Sequence, residues 1–313
     1  VALRLATRGS ALALAQAGQV ADLLGGAELV TASSDGEPGD KSRFVRGVER
    51  VLLAGGADVG VHSAKDLPGE MPDGLEIAAV PAREEPADVW IGAGGSLEDV
   101  PEGARVGTAS LRRRAQLLAA RPDLRVEELH GNVDTRLRKL AEGELDAIVL
   151  AAAGLRRLGR EAEIGFAIPT ARMVPAAGQG ALALQVRAGD GAAVAALASV
   201  GDADALRELT AERAAVALLE AGCATPIGVH AQVDGERLRI EVFVGLPDGS
   251  EWLRDRVEAE AAEPAAAGVL LAERLLSAGA RDILDRAEQL DADGPKTHVY
   301  GGKSARRPAE RGG

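Results

Sequence analysis

Short apolar runs of strand length alternate with helix-period segments over the first two thirds of this 313-residue chain, and that alternation constrains the fold more than any other feature. "LRLAT" (3–7), "DVGVH" (58–62), "LEIAAV" (75–80) and "DVWIG" (88–92) read as strands, as do "ARVGT" (104–108), "RVEEL" (125–129), "DAIVLA" (146–151) and "ALALQV" (181–186). Between them, 10–24, 42–54, 110–121, 132–142 and 151–158 repeat apolar residues at helical spacing. Such alternation predicts parallel α/β layers joined by crossover helices. From about 203 the order changes to a long helix ending near 221, then "IGVHAQV", "RLRIEVFVG" and "EWLRDRVEA" as a meander, then further helices. That region reads as a smaller α+β domain.

The acidic, proline-containing "PAREEPA" (81–87) and the proline-rich "IPTARMVPAAGQG" (168–180) read as crossings, by which the chain leaves a first domain, builds a second and returns. The expected division is 1–82 with 176–200, then 87–174, then 203–291. Residues 292–313 form a polar tail rich in Gly and basic residues that reads as disordered. Ligands of open α/β sheets sit beyond the carboxyl ends of the strands, so a cleft between the first two domains is the expected site.

Aromatic residues make up only 2% of the chain, which leaves few surfaces for stacking bases, and the formal charge of −12 repels a phosphate backbone. No nucleic-acid partner is expected. One cysteine, Cys223, excludes an internal disulfide framework and a zinc site of the CxxC type, and His62, His130, His230 and His298 show no metal-ligand spacing, so no metal is expected. The longest uncharged apolar run, "AIVLAAAGL", falls far short of a membrane span, and the stretch opening on "LRLATRGS" does not resemble a signal peptide. A soluble cytoplasmic protein is expected.

Basic residues concentrate between 105 and 139, where nine Lys/Arg face four Asp/Glu in an otherwise acidic chain. For any one of these arginines a solvated helix face is the ordinary explanation. Thr108 and Ser110, however, end a strand and open a helix, where free backbone N–H groups favour an anion. Arg112 and Arg113 fall in that helix's first turn, where cations oppose the helix dipole, and their placement calls for an anion nearby. Arg136 in "GNVDTR" follows a second helix start, and Arg8 and Ser10 a third. Three strand-to-helix turns bearing Arg with Ser/Thr or backbone donors describe a pocket for several carboxylates or phosphates, and arginine's planar fork suits carboxylates. In "VGVHSAKDLP" (59–68), Asp66 stands beside Lys65 and Ser63. It reads either as an exposed turn before Pro68 or as a lone carboxylate in a cationic cleft, placed to stabilise a developing cation. Cys223, on the glycine-flanked turn "GCATPIG", is either a small apolar filler or a point of covalent attachment.

Taken in order, "LATRGSALALAQA", "VHSAKDLP", "VGTASLRRRAQL", "GNVDTRLRKL", "LAAAGLRRLG", "PAAGQGALALQVR" and "GCATPIG" resemble the porphobilinogen deaminase (hydroxymethylbilane synthase) family over about residues 3 to 290. The resemblance implies an α/β fold in which two domains of the solute-binding-protein type (type II periplasmic binding protein) flank a cleft, with a smaller α+β C-terminal domain carrying the cysteine. It implies a transferase of porphyrin and heme biosynthesis that adds four porphobilinogen molecules head to tail with loss of ammonia. The linear hydroxymethylbilane grows on a dipyrromethane cofactor held by a thioether, here at Cys223. By the same resemblance Asp66 is catalytic and faces the electron-poor azafulvene left by ammonia. Lys65, Ser63, Thr108, Ser110, Arg112, Arg113, Arg136, His130, Arg157 and Gln179 would bind the cofactor. Arg8, Ser10, Arg157, Arg187, Lys41 and Phe44 would bind substrate, the last two on a mobile loop. A monomer that passes its product to uroporphyrinogen-III synthase is implied.

Two departures stand out. The family usually reads Arg-Gly-Asn where this chain has "HGN", and a neutral imidazole at His130 cannot make a bidentate ion pair. The loop "SSDGEPGDKSRF" is shorter than usual and lacks the glycines that flank its lysine. Alternatives at this level are a non-catalytic carboxylate-binding protein of the same two-domain fold and a deaminase inactivated by the change at 130.

Overall fold

All eight apolar runs form strands, and Ser, Asn or Asp side chains cap five of the helices between and after them. The computed structural model describes residues 2–33, 42–220 and 225–293, with 42–44 and 291–293 described as backbone alone.

The first sheet is built from β1 (Arg4–Arg8), β2 (Glu28–Ala32), β3 (Val59–Ser63), β4 (Leu75–Ala79) and a strand that returns much later, Leu182–Arg187. Helix α1 (Ala11–Leu23) joins β1 to β2, and α2 (Ser42–Leu53) precedes β3. The second sheet is built from β5 (Asp88–Gly92), β6 (Arg105–Gly107), β7 (Arg125–Glu127), β8 (Ala147–Ala151) and β9 (Phe166–Ile168). Its helices are α3 (Leu111–Ala120), α4 (Val133–Ala141) and α5 (Ala152–Arg157). With the returning strand numbered β10, the strand orders are β2-β1-β3-β10-β4 and β7-β6-β8-β5-β9, the same arrangement twice.

Neither sheet is wholly parallel, contrary to expectation. β10 runs antiparallel to β3 and β4, and β5 antiparallel to β8 and β9. Both exceptions are the strands that arrive from the other sheet. A strand entering through a helical crossover starts at the amino ends of its neighbours, whereas one entering from the crossing starts at their carboxyl ends. Thus Leu182 pairs with Ser63, and Asp88 with Ala151. The two crossings touch: Glu84 N–H donates to Gly180 O at 3.2 Å. Gly180 has φ +89°, and a Cβ there would lie 2.2 Å from Glu84 O, so this approach requires glycine.

After α6 (Gly191–Leu197), helix α7 (Ala203–Leu218) leads to the antiparallel meander β11 (Ile227–Asp234), β12 (Arg237–Gly245) and β13 (Trp252–Glu260). Helices α8 (Pro264–Ser277) and α9 (Ala280–Asp293) close this part. Its core is aliphatic, with Leu219, Val229, Ile240, Val242, Leu271 and Leu284 all buried. Where α7 and α8 cross, a Cβ on Gly268 would lie 2.1 Å from Ala211 O, so the helices meet backbone to backbone. Strand β2, strand β9 and α6 were not expected from the sequence. Among the described residues no helix is long and apolar enough to cross a membrane.

Candidate active site

The carboxyl ends of β1, β3, β6, β7 and β8 carry nearly every candidate residue that the structure describes. β1 ends in Arg8, and Ser10 caps α1, its hydroxyl oxygen accepting the Ala13 N–H at 3.3 Å. β3 ends in Ser63, followed by a 3₁₀ turn over Ala64–Asp66 that projects Lys65 and Asp66. β6 leads to Thr108, whose hydroxyl accepts the Ser110 N–H, and Ser110 in turn caps α3. Asn132 caps α4, so that Arg136 sits one turn in, donating from Nε to Gly131 O at 2.9 Å. Arg157 ends α5 and donates to Gly180 O at 2.7 Å, lining a notch of about 480 Å³ between α1 and α5.

Electrostatics tie these turns together. Burial, and next the repulsion of Arg113, push the Lys65 amine down to about 8. Burial and Arg113 push the Arg136 guanidinium down to about 10. Burial lowers Arg113 and Arg157 as well. Arg8 lies 3.6 Å from Asp66. Arg8, Lys65, Arg112, Arg113 and Arg136 therefore gather around Asp66 and Asp88. The surplus of positive charge is one that a polycarboxylate neutralises.

Asp88 was not foreseen. It opens β5 with no exposed surface, and Arg112 Nη1 donates to its Oδ2 at 2.7 Å. Arg113 reaches its Oδ1 from Nε at 2.9 Å and from Nη2 at 2.8 Å. Gln179 Nε2 donates to the same oxygen at 3.0 Å. Burial opposes the charge on Asp88, but the two guanidiniums hold it far below the usual carboxylate range. The anion demanded beside Arg112 and Arg113 is thus partly supplied by the chain itself. The available signal was a charged residue heading an otherwise uncharged, apolar strand, "DVWIG". A second unforeseen partner is Gln16, buried on α1, whose side-chain amide hydrogen-bonds Ser63 Oγ at 2.8 Å.

Arg187 requires a correction. Register places Leu182 beside Ser63 and Arg187 beside Leu75, so Arg187 lies at the far end of β10, about 17 Å from the cleft end by strand rise. Its guanidinium donates to Leu52 O, Ala57 O and Asp190, all away from the cleft. His130 lies on the rim, its side chain 69% exposed and 2.7 Å from Glu128. Lys41, the Phe44 side chain and Cys223 lie outside the described residues. The flanks of the cysteine turn are described. Glu220 leaves α7 in the left-handed region at φ 51°. Arg213 donates to Gly69 O at 2.9 Å, three residues beyond Asp66, and Val229 N–H donates to Pro175 O at 2.8 Å.

A fully buried carboxylate, Glu212, joins these flanks to the crossings. It accepts Arg83 Nη1 at 2.8 Å, Gly178 N–H at 2.6 Å and Ala231 N–H at 2.8 Å. Helix α7, both crossings and β11 therefore meet at one side chain.

Comparison with known proteins gives two family matches. The description "Porphobilinogen deaminase, dipyromethane cofactor binding domain" matches residues 3–195, and "Porphobilinogen deaminase, C-terminal domain" matches 206–277. A porphobilinogen deaminase of Syntrophus aciditrophicus is 43% identical over 302 residues, covering 91% of this chain and 99% of that protein. One from Thiobacillus denitrificans is 48% identical over 248 residues, covering 79% and 81%. Among solved structures, the periplasmic VFT2 domain of Bordetella pertussis BvgS aligns at a TM-score of 0.39 and 17% identity, over 64% of this chain and 86% of that one.

Proposed function

Because the chain belongs to the porphobilinogen deaminase family, we propose that the cationic cluster between its two five-stranded sheets is where it holds its cofactor and substrate. The activity is that of hydroxymethylbilane synthase, a transferase of tetrapyrrole synthesis. Four porphobilinogen molecules condense head to tail on dipyrromethane, giving linear hydroxymethylbilane. In each condensation the aminomethyl carbon of porphobilinogen loses its nitrogen as ammonia and bonds the free α-carbon of the preceding pyrrole, which gives up a proton. Water then releases the product with its hydroxymethyl group.

One observation carries the placement: among the described residues five cations gather about Asp66 and Asp88, and Lys65 is pushed down to about 8 by burial and Arg113. Dipyrromethane and porphobilinogen both bear carboxylate arms, so the residues present fit them. When bound, the cofactor supplies a nucleophilic pyrrole carbon as primer. Arg112, Arg113, Arg136 and Lys65 hold its carboxylates, with Thr108, Ser110, Ser63 and Gln179 shaping the wall. Arg8, Ser10 and Arg157 take the carboxylates of incoming porphobilinogen. Asp66, beside Arg8 at the end of β3, faces the cation that forms as ammonia departs and manages the proton the next pyrrole releases. Cys223 is the anchoring thiol. His130, exposed and engaged with Glu128, adds at most a weak contact.

On this proposal the chain divides into 1–82 with 176–200, then 87–174, then 203–291. A cytoplasmic monomer delivering its product to uroporphyrinogen-III synthase completes the reading. Intact mass tests the anchor. Chain made in cells unable to synthesise porphobilinogen should gain a covalent dipyrromethane on exposure to porphobilinogen, and Cys223→Ala should not. A Cys223→Ala chain that gains the same mass would remove Cys223 from the site.

A further inference from the structure

We propose that Asp88 is a positioning residue for cofactor capture: it fixes the Arg112 and Arg113 guanidiniums and ties them, through Gln179, to the segment by which the chain returns to the first sheet. The proposal rests on the reading of the cleft given above and adds to it a residue whose own atoms touch no ligand.

Every hydrogen bond described on the Asp88 side chain comes from Arg112, Arg113 or Gln179, and both of its oxygens are used. It therefore serves the cleft rather than the general packing of β5. Each guanidinium makes a further bond, Arg112 from the same Nη1 and Arg113 from a third nitrogen. Arg112 Nη1 also donates to Val174 O at 2.8 Å, and Arg113 Nη1 to Val149 O at 3.0 Å. Held by these bonds, each guanidinium presents its remaining donors in one direction, and pre-set donors lose less freedom when a carboxylate arrives. Arg112 Nε is buried without a partner among the described residues, so this group still has hydrogen-bonding capacity to satisfy.

Charge points the same way. One buried carboxylate against two buried guanidiniums leaves a local surplus of one positive charge, enough to demand a ligand carboxylate yet small enough to remain buried. Asp88 also supports the charge on Lys65, whose amine it favours against the repulsion of Arg113 and Arg112. Removing Asp88 would free both guanidiniums to turn toward water and would discharge Lys65 further. Through Gln179 Nε2, which donates to Pro86 O at 2.6 Å as well as to Asp88, the pair is linked to both crossings. Cofactor arginines and the path between the sheets thus share one carboxylate.

The test compares cofactor-free parent, Asp88→Asn and Asp58→Asn. Asp58 pairs with Arg4 far from the cleft and controls for the loss of an ion pair as such. Each is exposed to porphobilinogen, and covalent dipyrromethane is followed by intact mass. Lys65 is separately acylated at pH 7 and quantified by peptide mass. Folded Asp88→Asn should load at least tenfold more slowly than parent and than Asp58→Asn, and should acylate at Lys65 severalfold faster. Loading by Asp88→Asn within twofold of parent overturns the proposal. If Asp88→Asn does not fold, Asp88→Glu decides: it keeps the charge but displaces it, so slowed loading supports positioning and parent-rate loading overturns it. A parent chain that never gains the mass counts instead against the reading of the cleft.

Discussion

Arg8 and Asp66 face each other across the carboxyl ends of β1 and β3, with Nη1 3.6 Å from Oδ2 and both side chains partly exposed. A pair this open contributes little to stability. Its consequence is chemical: an exposed carboxylate is kept beside a cation that, on the proposed reading, a substrate carboxylate claims. Substrate binding would then draw Arg8 away and leave Asp66 facing the reacting ring. Asp66→Asn preserves shape and removes that charge. Turnover should fall by roughly 10²–10⁴, the range of a lost acid–base or electrostatic group. Intact mass should still show the cofactor. A variant that condenses porphobilinogen near the parent rate means that Asp66 is not the catalytic group.

Arg187 gives the opposite expectation. Its donors satisfy Leu52 O, Ala57 O and Asp190 at the end of β10 remote from the cleft. Arg187→Gln should lower the melting temperature, because buried carbonyls lose donors at about 1–3 kcal/mol each. KM for porphobilinogen should stay within about twofold of parent, less than the roughly 1.4 kcal/mol of a tenfold change. A large rise in KM with an unchanged melt would return Arg187 to the substrate site.

The difference between these two arginines shows where sequence reading reaches its limit. Strand and helix positions were legible because burial imposes periods of 2 and 3.6 on the apolar residues. Caps such as Ser10 and Ser110 were legible because orphan N–H groups at a helix start select short polar side chains. Arg187 was misplaced because it shares a motif with Gln179, although a six-residue strand carries its two ends to opposite edges of the sheet. Asp88 was missed because its partners lie 24, 25 and 91 residues away, a separation without periodic signal. Strand direction failed for a related reason: β5 and β10 owe theirs to the crossings, not to their own residues. Strand β2 is an exposed sheet edge, which leaves little hydrophobic pattern to detect.

Lys65 yields a pH prediction of two opposite signs. Its folded value, about 8, lies below the ordinary 10.5 because of burial and Arg113. Between those values the unfolded chain binds the extra proton, so Lys65 makes the cofactor-free protein more stable as pH rises from about 8 toward 10.5. Carboxylate capture needs the charged amine, so cofactor loading should slow as pH rises through about 8. Lys65→Met should flatten both trends relative to parent, in denaturant melts and in loading followed by mass. Parent and variant curves that run parallel from pH 7 to 10, within the roughly tenfold range of one unit, would show that Lys65 is not the titrating group.

Glu212 tests the junction that carries the cysteine turn. Burial opposes its charge, yet Arg83 and His230 together more than offset this, and its carboxyl is held below the ordinary 4.5. A depressed carboxylate contributes stability above its unfolded value and loses it as pH falls through the folded value. Parent stability should therefore decline below about 4.5 more steeply than that of Glu212→Gln. At neutral pH, Glu212→Gln leaves the buried Arg83 guanidinium without its main partner, and about 3–5 kcal/mol should be lost. Arg83→Met strands the buried carboxylate and should cost a similar amount, while the double variant should cost much less than the two combined, because the second change removes a charge already unpaired. Because Gly178 N–H and Ala231 N–H also end on this side chain, loosening it frees both the return crossing and the start of β11. Cofactor loading should slow even at temperatures where Glu212→Gln remains folded. Additive losses in the double variant, with loading at the parent rate, would reduce Glu212 to an ordinary surface-like pair and separate the cysteine turn from the crossings.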